Sequence, residues 1–428
     1  PFGAAGACAP AMTPTDRSHL RGTRPSSRRR SAARRAGRWA FVCSAVAVLW
    51  AGPSRLLAQS DFSTALLDRR ADACVDFYQF ACGGWLARTP LPADRARYGR
   101  MQELADRNEQ IIRGILEDAA RPRRGRSTDE QRIGDAYAAC MDTRAIDRAG
   151  LTPIAPRLRA IAGARTRTAI VQVAAGLAHD GVGTFLTVST APDIHDSTHF
   201  MTQVGQGALG LPDRDLYLQS DARSTSLREA YVDHVGRMFA LVGEPSETAR
   251  ASAATVVRLE TTLARATMDR LTFRDVRQRD NPMTVAGLLA VAPDVDVAGF
   301  LSRAGVPTTT RVNLVSPAYL QGLQRALAAE PVEAWRTYLR WRVLDATAAW
   351  LSSPLRAEDF RFKGTVLNGQ AEARPRWQQC ATAVAGEPGA DALGELVGKV
   401  FVERRFGAEA QAWVARLVDA LQIGRAHV

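Results

Sequence analysis

Apolar residues recur every three or four positions along most of the chain, which is the spacing of helices that bury one face. The clearest runs are residues 98–120, 227–242, 247–268, 335–350 and 408–421. Ser127 followed by Glu130 is a capping-box pattern, which predicts a helix that carries Cys140 on its buried face. The chain is therefore predicted to be mainly α-helical.

A small β element interrupts the helical pattern. Residues 183–189 and 198–204 alternate in polarity and are rich in β-branched and aromatic side chains, so they are predicted to form a pair of strands. The turn-rich segment 211–215 closes this part of the chain.

Positive charge is concentrated at the N-terminus. Residues 1–58 hold ten arginines and one aspartate, so +9 of the formal net charge of +12 belongs to them and +3 remains for the other residues. Nucleic-acid binding requires basic residues clustered on the folded surface. The nearly neutral remainder therefore argues against a nucleic-acid partner.

Residues 1–58 have the three parts of an export signal. An arginine-rich run at 17–38 precedes an apolar stretch at 39–50, and Gly52 and Pro53 end that stretch. The stretch is shorter than the roughly 20 residues that span a membrane. Cleavage after Ala58 is predicted, with a retained anchor or a buried core helix as alternatives, and residues 59–70 are predicted to be a linker.

Both ends of the chain are unusual. It begins with Pro1, so either Met12 is the true start or further residues precede it. Residues 422–428 are expected to break the last amphipathic helix and to be a sequencing-adapter artefact, because a common adapter sequence encodes Ile-Gly-Arg-Ala-His-Val. The alternative is a genuine C-terminus.

Four cysteines lie outside the predicted signal region, and none has a C-x-x-C or Cys/His zinc spacing. They are Cys74, Cys82, Cys140 and Cys380. Because disulfides persist in exported proteins, structural bridges are expected. If residues 74–82 are helical, Cys74 and Cys82 lie about 12 Å apart and cannot bridge each other.

Two histidines resemble part of a zinc site. His195 and His199 stand four residues apart with Asp196 after the first, close to H-E-x-x-H. That pattern must be helical for both imidazoles to face one metal. Pro192 and the flanking strand pattern argue against a helix, so two surface histidines and no metal are predicted. His179 and His234 are predicted to be structural.

Three glycines match the G-x-G-x-x-G of dinucleotide sites: Gly205, Gly207 and Gly210. In such sites the glycines open a helix that points at a pyrophosphate. Pro212 excludes that helix, so a turn-rich loop is predicted. A nucleotide-binding oxidoreductase is a weak alternative, since the parallel-sheet pattern is missing.

Five ordered motifs resemble the neprilysin family of zinc endopeptidases. The first is C-V-D-F-Y-Q-F-A-C-G-G-W-L at residues 74–86, followed by Pro92 and by Arg97-Tyr98-Gly99. The others are A-C-M-D at 139–142, G-L-P-D-R-D-L-Y-L at 210–218, N-P-M-T at 281–284 and P-R-W-Q-Q-C at 375–380. Residues 71–421 are therefore identified as the family's N-terminal domain.

The resemblance implies a large helical domain that folds over a thermolysin-like catalytic part and encloses peptide substrates. The zinc ligands and catalytic residues of the family correspond to sequence beyond residue 428, so no residue here is given a catalytic or metal-binding role. It also implies a Cys140–Cys380 disulfide, and partners for Cys74 and Cys82 in the missing catalytic part.

Arg97 matches an arginine that family members use near the C-terminal side of the substrate, where a guanidinium can pair with a carboxylate. A surface salt bridge is the alternative. Ala105 replaces a second arginine of neprilysin, so true endopeptidase action is expected.

The function implied is the substrate-enclosing domain of an exported, periplasmic or extracellular zinc metalloendopeptidase. The alternative is an exported peptide-binding protein that kept this fold without the metal site.

Overall fold

The computed structural model describes residues 64–306, 311–386 and 393–425. The predicted export signal at 1–58 lies outside the described residues, as do residues 59–63 of the predicted linker. The chain divides into two compact units, Pro1–Leu91 and Pro92–Val428. The sequence motifs predict one domain over residues 71–421.

The first unit contains a short 3-10 helix, Thr64–Leu66, and helix α1, Phe77–Leu86. The Asp76 side chain caps α1 by accepting a hydrogen bond from the backbone N–H of Gln79. Gly84 lies against the carbonyls of residues 65–67, and a Cβ there would come within 2.6 Å of the Leu67 oxygen. This close approach explains the second glycine of C-G-G-W.

The second unit is mainly helical. Its first helices are α2 (Arg100–Ala120), α3 (Thr128–Met141), α4 (Thr143–Ala149), α5 (Ala155–Gly163), α6 (Arg167–His179), α7 (Asp215–Leu218), α8 (Ala222–Leu241), α9 (Ser246–Ala266) and α10 (Arg270–Arg274). The later ones are α11 (Val285–Val291), α12 (Val297–Arg303), α13 (Pro317–Ala329), α14 (Val332–Thr347), α15 (Ser353–Phe360), α16 (Arg376–Ala385), α17 (Gly394–Arg405) and α18 (Ala408–Arg425).

Short turns of other helix types join these elements. They are the 3-10 helices Thr152–Ile154, Val276–Arg279 and Ala348–Trp350, and the π-helix Arg361–Leu367, which continues α15.

Side-chain caps explain many of the helix starts. An aspartate, serine or threonine oxygen accepts a hydrogen bond from a backbone N–H of the first turn. These caps are Ser127, Asp142, Thr166, Asp221, Asp269, Thr284, Asp296 and Ser316. At Ser127 the predicted capping box with Glu130 is confirmed.

Four strands form one mixed sheet in the order β1-β2-β4-β3. The strands are β1 (Leu186–Pro192), β2 (Phe200–Gln206), β3 (Pro282–Met283) and β4 (Val312–Leu314). β1 pairs with β2 and β3 pairs with β4 antiparallel, whereas β2 and β4 are parallel. The predicted strand pair is confirmed, with its start two or three residues further along.

Two hydrophobic cores lie in the second unit. The larger one fills the space between α5–α9, α11–α14 and one face of the sheet, with Trp335 and Trp341 completely buried in it. The smaller one joins α2, α3, α16 and α17 around Leu116, Ile133 and Cys380. The mainly α fold class is confirmed.

Cys140 lies half-buried near the end of α3 and packs against the smaller core, so its predicted position on the buried face is confirmed, whereas Met141 after it is 38% exposed. One detail of the helical predictions is wrong. The helical backbone of α18 does not break at residue 422 but continues to Arg425, because glutamine, isoleucine and arginine allow helix and the single Gly424 costs only about 1 kcal/mol. Within the described residues no helix has an apolar stretch that would cross a membrane.

Candidate functional site

A cleft of about 530 Å³ lies on the outer face of the sheet. Side chains alternate along a strand, so Val204 and Leu314 face the core while Gln203 and Asn313 face the cleft. Thr187 on β1 belongs to the same outward face. The volume of the cleft is within the range of sites that bind small molecules.

The opposite wall of the cleft is the segment from α10 to the following 3-10 helix. Phe273, Val276 and Arg279 line it, and Phe273 and Val276 are 39% and 45% exposed. The β1–β2 loop forms one end of the cleft. There His195 Nε2 lies 2.8 Å from the Asp280 carboxylate, which links the loop to the opposite wall.

A second cavity of about 400 Å³ adjoins the cleft at Gln206, Gly207 and Phe273. Its lining includes Pro212 and Arg274. The two cavities make a groove that runs from the β1–β2 loop past the glycine motif.

The glycine motif serves close packing. A Cβ on Gly205 would lie 2.5 Å from Thr187 Oγ1, one on Gly207 2.4 Å from the Phe185 backbone, and one on Gly210 1.7 Å from Tyr231 Oη. The predicted loop is wrong for Gly205 and Gln206, which end β2, because their pairing with β1 outweighs the turn preference of glycine. The segment after Gly207 is a loop, and no helix opens on the motif.

A buried hydrogen-bond network supports the groove from behind. The hydroxyls of Tyr217 and Tyr231 donate to Glu260 Oε2 over 2.7 and 2.8 Å. Tyr217 Oη also accepts from the Leu211 backbone N–H, and Trp341 Nε1 donates to Tyr231 Oη. The network therefore fastens the turn at residue 211, which lines the second cavity, to the core.

Burial raises the pKa of Glu260 to about 7, although Arg342 and the two tyrosine hydroxyls act in the opposite direction. The Arg342 guanidinium lies 3.7 Å from Glu260 Oε1, and both side chains are buried. Glu260 is not among the residues that the sequence predicts to be functional. The available signal was an acid within the apolar helical run at 247–268.

The histidines differ in their exposure to solvent. His199 Nδ1 lies 2.8 Å from Asp196, and both rings of the predicted histidine pair are exposed in a loop, as expected. His234 is buried, stacks on Phe362 with centroids 4.6 Å apart, and contacts Glu358 through Nδ1. The prediction of a structural His234 agrees with this environment.

The hydrogen bond from His234 helps to keep Glu358 ionised. Burial alone would raise the pKa of Glu358, but hydrogen bonds with Arg361 and His234 outweigh it and lower the pKa to about 2. The carboxylate is therefore ionised and holds α8 to α15.

The cysteines follow the resemblance in part. Cys140 and Cys380 form a disulfide with Cα atoms 5.7 Å apart, and it joins α3 to α16 inside the smaller core. Cys82 lies in α1 and takes part in no disulfide within the described residues. Cys74 lies in a turn before α1, so the helical geometry assumed for residues 74–82 is wrong.

Arg97 lies exposed in the loop that precedes α2. Arg95 beside it pairs with Asp106, and Arg100 pairs with Glu103. Arg97 itself makes no ion pair with any residue in the described part of the chain.

Fold and cleft together define a mainly helical domain with an open groove. Among the described residues, no three histidine, cysteine, aspartate or glutamate side chains cluster as metal ligands would. Residues 73–424 match the N-terminal domain of peptidase family M13, and the chain belongs to this family, which is the neprilysin family of the sequence analysis.

Solved structures share the fold. The structure of zinc metalloprotease Zmp1 of Mycobacterium tuberculosis in complex with an inhibitor is 34% identical with a TM-score of 0.77, over 84% of this chain and 54% of that one. PepO of Lactobacillus rhamnosis is 23% identical with a TM-score of 0.69, over 82% of this chain and 54% of that one, which bears on the fold alone.

Curated relatives agree. Mouse endothelin-converting enzyme-like 1 is 28% identical over 84% of this chain and 47% of the relative, and human endothelin-converting enzyme 1 is 24% identical over 82% and 46%. The chain thus spans about half the length of these relatives.

Proposed function

We propose that this chain is the N-terminal, substrate-enclosing domain of an exported zinc-dependent metalloendopeptidase that hydrolyses peptides. The observation that supports the proposal most is the similarity to the zinc metalloprotease Zmp1, at 34% identity over 84% of this chain. Its partners are then peptide substrates and its own catalytic part. Export rests on the signal pattern of residues 1–58.

The described residues do not fit a zinc site. His195 and His199 point to two different carboxylates, Asp280 and Asp196, and no third ligand joins them. From the family resemblance, we propose that the zinc ligands lie in sequence beyond these 428 residues. When bound, zinc polarises the scissile carbonyl and activates water.

Arg97 is the proposed substrate-binding residue of this domain. Its guanidinium is exposed and unused by the described residues, so it is available to a peptide carboxylate, for which a bidentate pair is the preferred geometry. We also propose, from the resemblance, that Cys74 and Cys82 form disulfides with the catalytic part.

The test uses the complete gene product. We expect one bound zinc per chain, peptide cleavage that a chelator abolishes and zinc restores, and slower cleavage as folded substrates become larger. The double variant His195→Ala, His199→Ala is the matched control and should keep both zinc and activity.

Three outcomes would count against this proposal. Loss of zinc in the histidine variant would place the metal in the β1–β2 loop. Peptidase activity of the 428-residue chain by itself would place catalytic residues within it. Peptide binding by a complete gene product that never hydrolyses would favour the exported binding protein.

A further inference from the structure

Arg279, in the wall of the cleft, forms no ion pair with any other described residue. Its guanidinium carbon lies 4.7 Å from the centre of the Phe273 ring, so the side chain is held by a cation–π contact. Its Nε is shielded from solvent and has no hydrogen-bond partner in the described part of the chain. A shielded donor without an acceptor is costly, so the Arg279 side chain has hydrogen-bonding capacity that no described residue uses.

The two carboxylates that line the cleft both make hydrogen bonds to His195. Asp280 contacts His195 Nε2, and Asp193 accepts a hydrogen bond from the His195 backbone N–H over 2.9 Å. Neither forms an ion pair with Arg279. The Arg279 guanidinium therefore has no carboxylate partner among the described residues.

The sheet holds Arg279 in place through its backbone. Asn313 Nδ2 donates to the Arg279 carbonyl over 2.7 Å and to Gln203 Oε1 over 2.6 Å. Asn313 is itself 8% exposed, so this anchor is rigid. Replacement of the Arg279 side chain leaves these backbone contacts unchanged.

The rest of the cleft presents apolar surface beside the guanidinium. Ile194 at one end is 55% exposed, and Phe273 and Val276 form the wall next to Arg279. A cation flanked by exposed apolar side chains is complementary to a peptide that carries a carboxylate next to an apolar residue.

We propose that this cleft is a subsite for a carboxylate of a peptide, with Arg279 as the recognising group. The carboxylate is that of an acidic side chain or of the peptide's C-terminus. The inference rests on the proposed function, since it assigns substrate selectivity to the same enclosing domain, at a position different from Arg97.

The experiment measures binding of labelled peptides to this chain by fluorescence anisotropy. Three peptides share one apolar sequence: one has a glutamate and an amidated C-terminus, one has glutamine and an amidated C-terminus, and one has glutamine and a free C-terminus. We expect one of the two charged peptides to bind about tenfold more tightly than the neutral one, the difference that one charge-assisted pair supplies. Which of them is preferred identifies the source of the carboxylate.

Arg279→Gln should reduce the affinities of the charged peptides to that of the neutral one, and Arg279→Lys should restore part of the difference. Arg277→Gln is the matched control, because Arg277 is exposed on the same 3-10 helix and does not line the cleft. It should keep the full preference. Circular dichroism of each variant checks that the fold is kept.

Equal binding of all three peptides by the wild-type chain, or binding of none, overturns the subsite whatever the variants do. A preference that survives in Arg279→Gln overturns the role of Arg279. Neither result depends on zinc. A zinc-dependent peptidase without charge preference refutes this inference alone, whereas Arg279-dependent binding by a gene product without peptidase activity refutes only the proposed function.

Discussion

Tyr231 occupies the space that a side chain at residue 210 would need. A Cβ on Gly210 would lie 1.7 Å from Tyr231 Oη, and that hydroxyl is fixed by Glu260 and Trp341. The tyrosine cannot move without breaking the buried network. Overpacking at such a site is destabilising.

We predict that Gly210→Ala lowers the free energy of unfolding by about 2 kcal/mol or more. Gly114→Ala is the control, because Gly114 is exposed in α2 with nothing within 4 Å of the added Cβ. It should be neutral or stabilise by up to about 1 kcal/mol. Urea unfolding measures both, and equal effects would contradict the packing argument.

Glu260 makes stability depend on pH. Its pKa in the folded chain is about 7, above the ordinary value of 4.5, so the folded state binds this proton more tightly than the unfolded state does. The stabilising contribution is complete at pH below the ordinary pKa and is lost as the pH rises through about 7. Its size is on the order of 3 kcal/mol.

Glu260→Gln should therefore flatten the fall in unfolding free energy between about pH 5 and pH 8. Its amide oxygen can still accept from Tyr217 and Tyr231. Glu229→Gln, at an exposed position of α8, should leave the wild-type profile intact. An unchanged slope in Glu260→Gln would show that other groups cause the pH dependence.

At the scale of elements, the disulfide joins two pairs of helices that are distant in sequence. α2 and α3 precede the main core and α16 and α17 follow it, and Cys140 and Cys380 are 240 residues apart. A link between such distant positions removes much of the freedom of the unfolded chain.

Replacement of both cysteines by alanine is predicted to lower the unfolding free energy by up to about 5 kcal/mol. Cys82→Ala is the control and should have a smaller effect, since Cys82 is half-buried and outside the disulfide. Non-reducing mass mapping checks the pairing. Alkylation of Cys140 in the folded, oxidised protein would refute it.

For the whole molecule, the exposed Arg97 is expected to act on peptide binding. In the complete enzyme, Arg97→Ala should raise KM about tenfold with little change in kcat, because the contact would lie away from the reacting carbonyl. Arg132→Ala, an exposed arginine on α3, is the control. Unchanged kinetics in Arg97→Ala would show that the side chain is merely a surface group.

Local patterns in the sequence were enough for several of the longer helices, for the strand pair and for the family. The apolar spacing of α2, α8, α9 and α14 and the Ser127–Glu130 cap act over three or four residues, so they can be identified without the fold. The ordered motifs likewise identified the family and, through it, the Cys140–Cys380 disulfide.

Only the tertiary structure decided the cleft and its chemistry. Asn313 hydrogen-bonds to Gln203, and Trp341 to Tyr231, and the partners in each pair are 110 residues apart in sequence. Glu260, which accepts a hydrogen bond from Tyr231, is buried. Such contacts depend on which helices and strands pack together, and that information is spread over the whole chain. For this reason the sequence alone shows no role for Arg279 or for the glycines 205, 207 and 210. Their roles follow from the packing of the sheet and of the segment from α10 to Arg279 around the cleft.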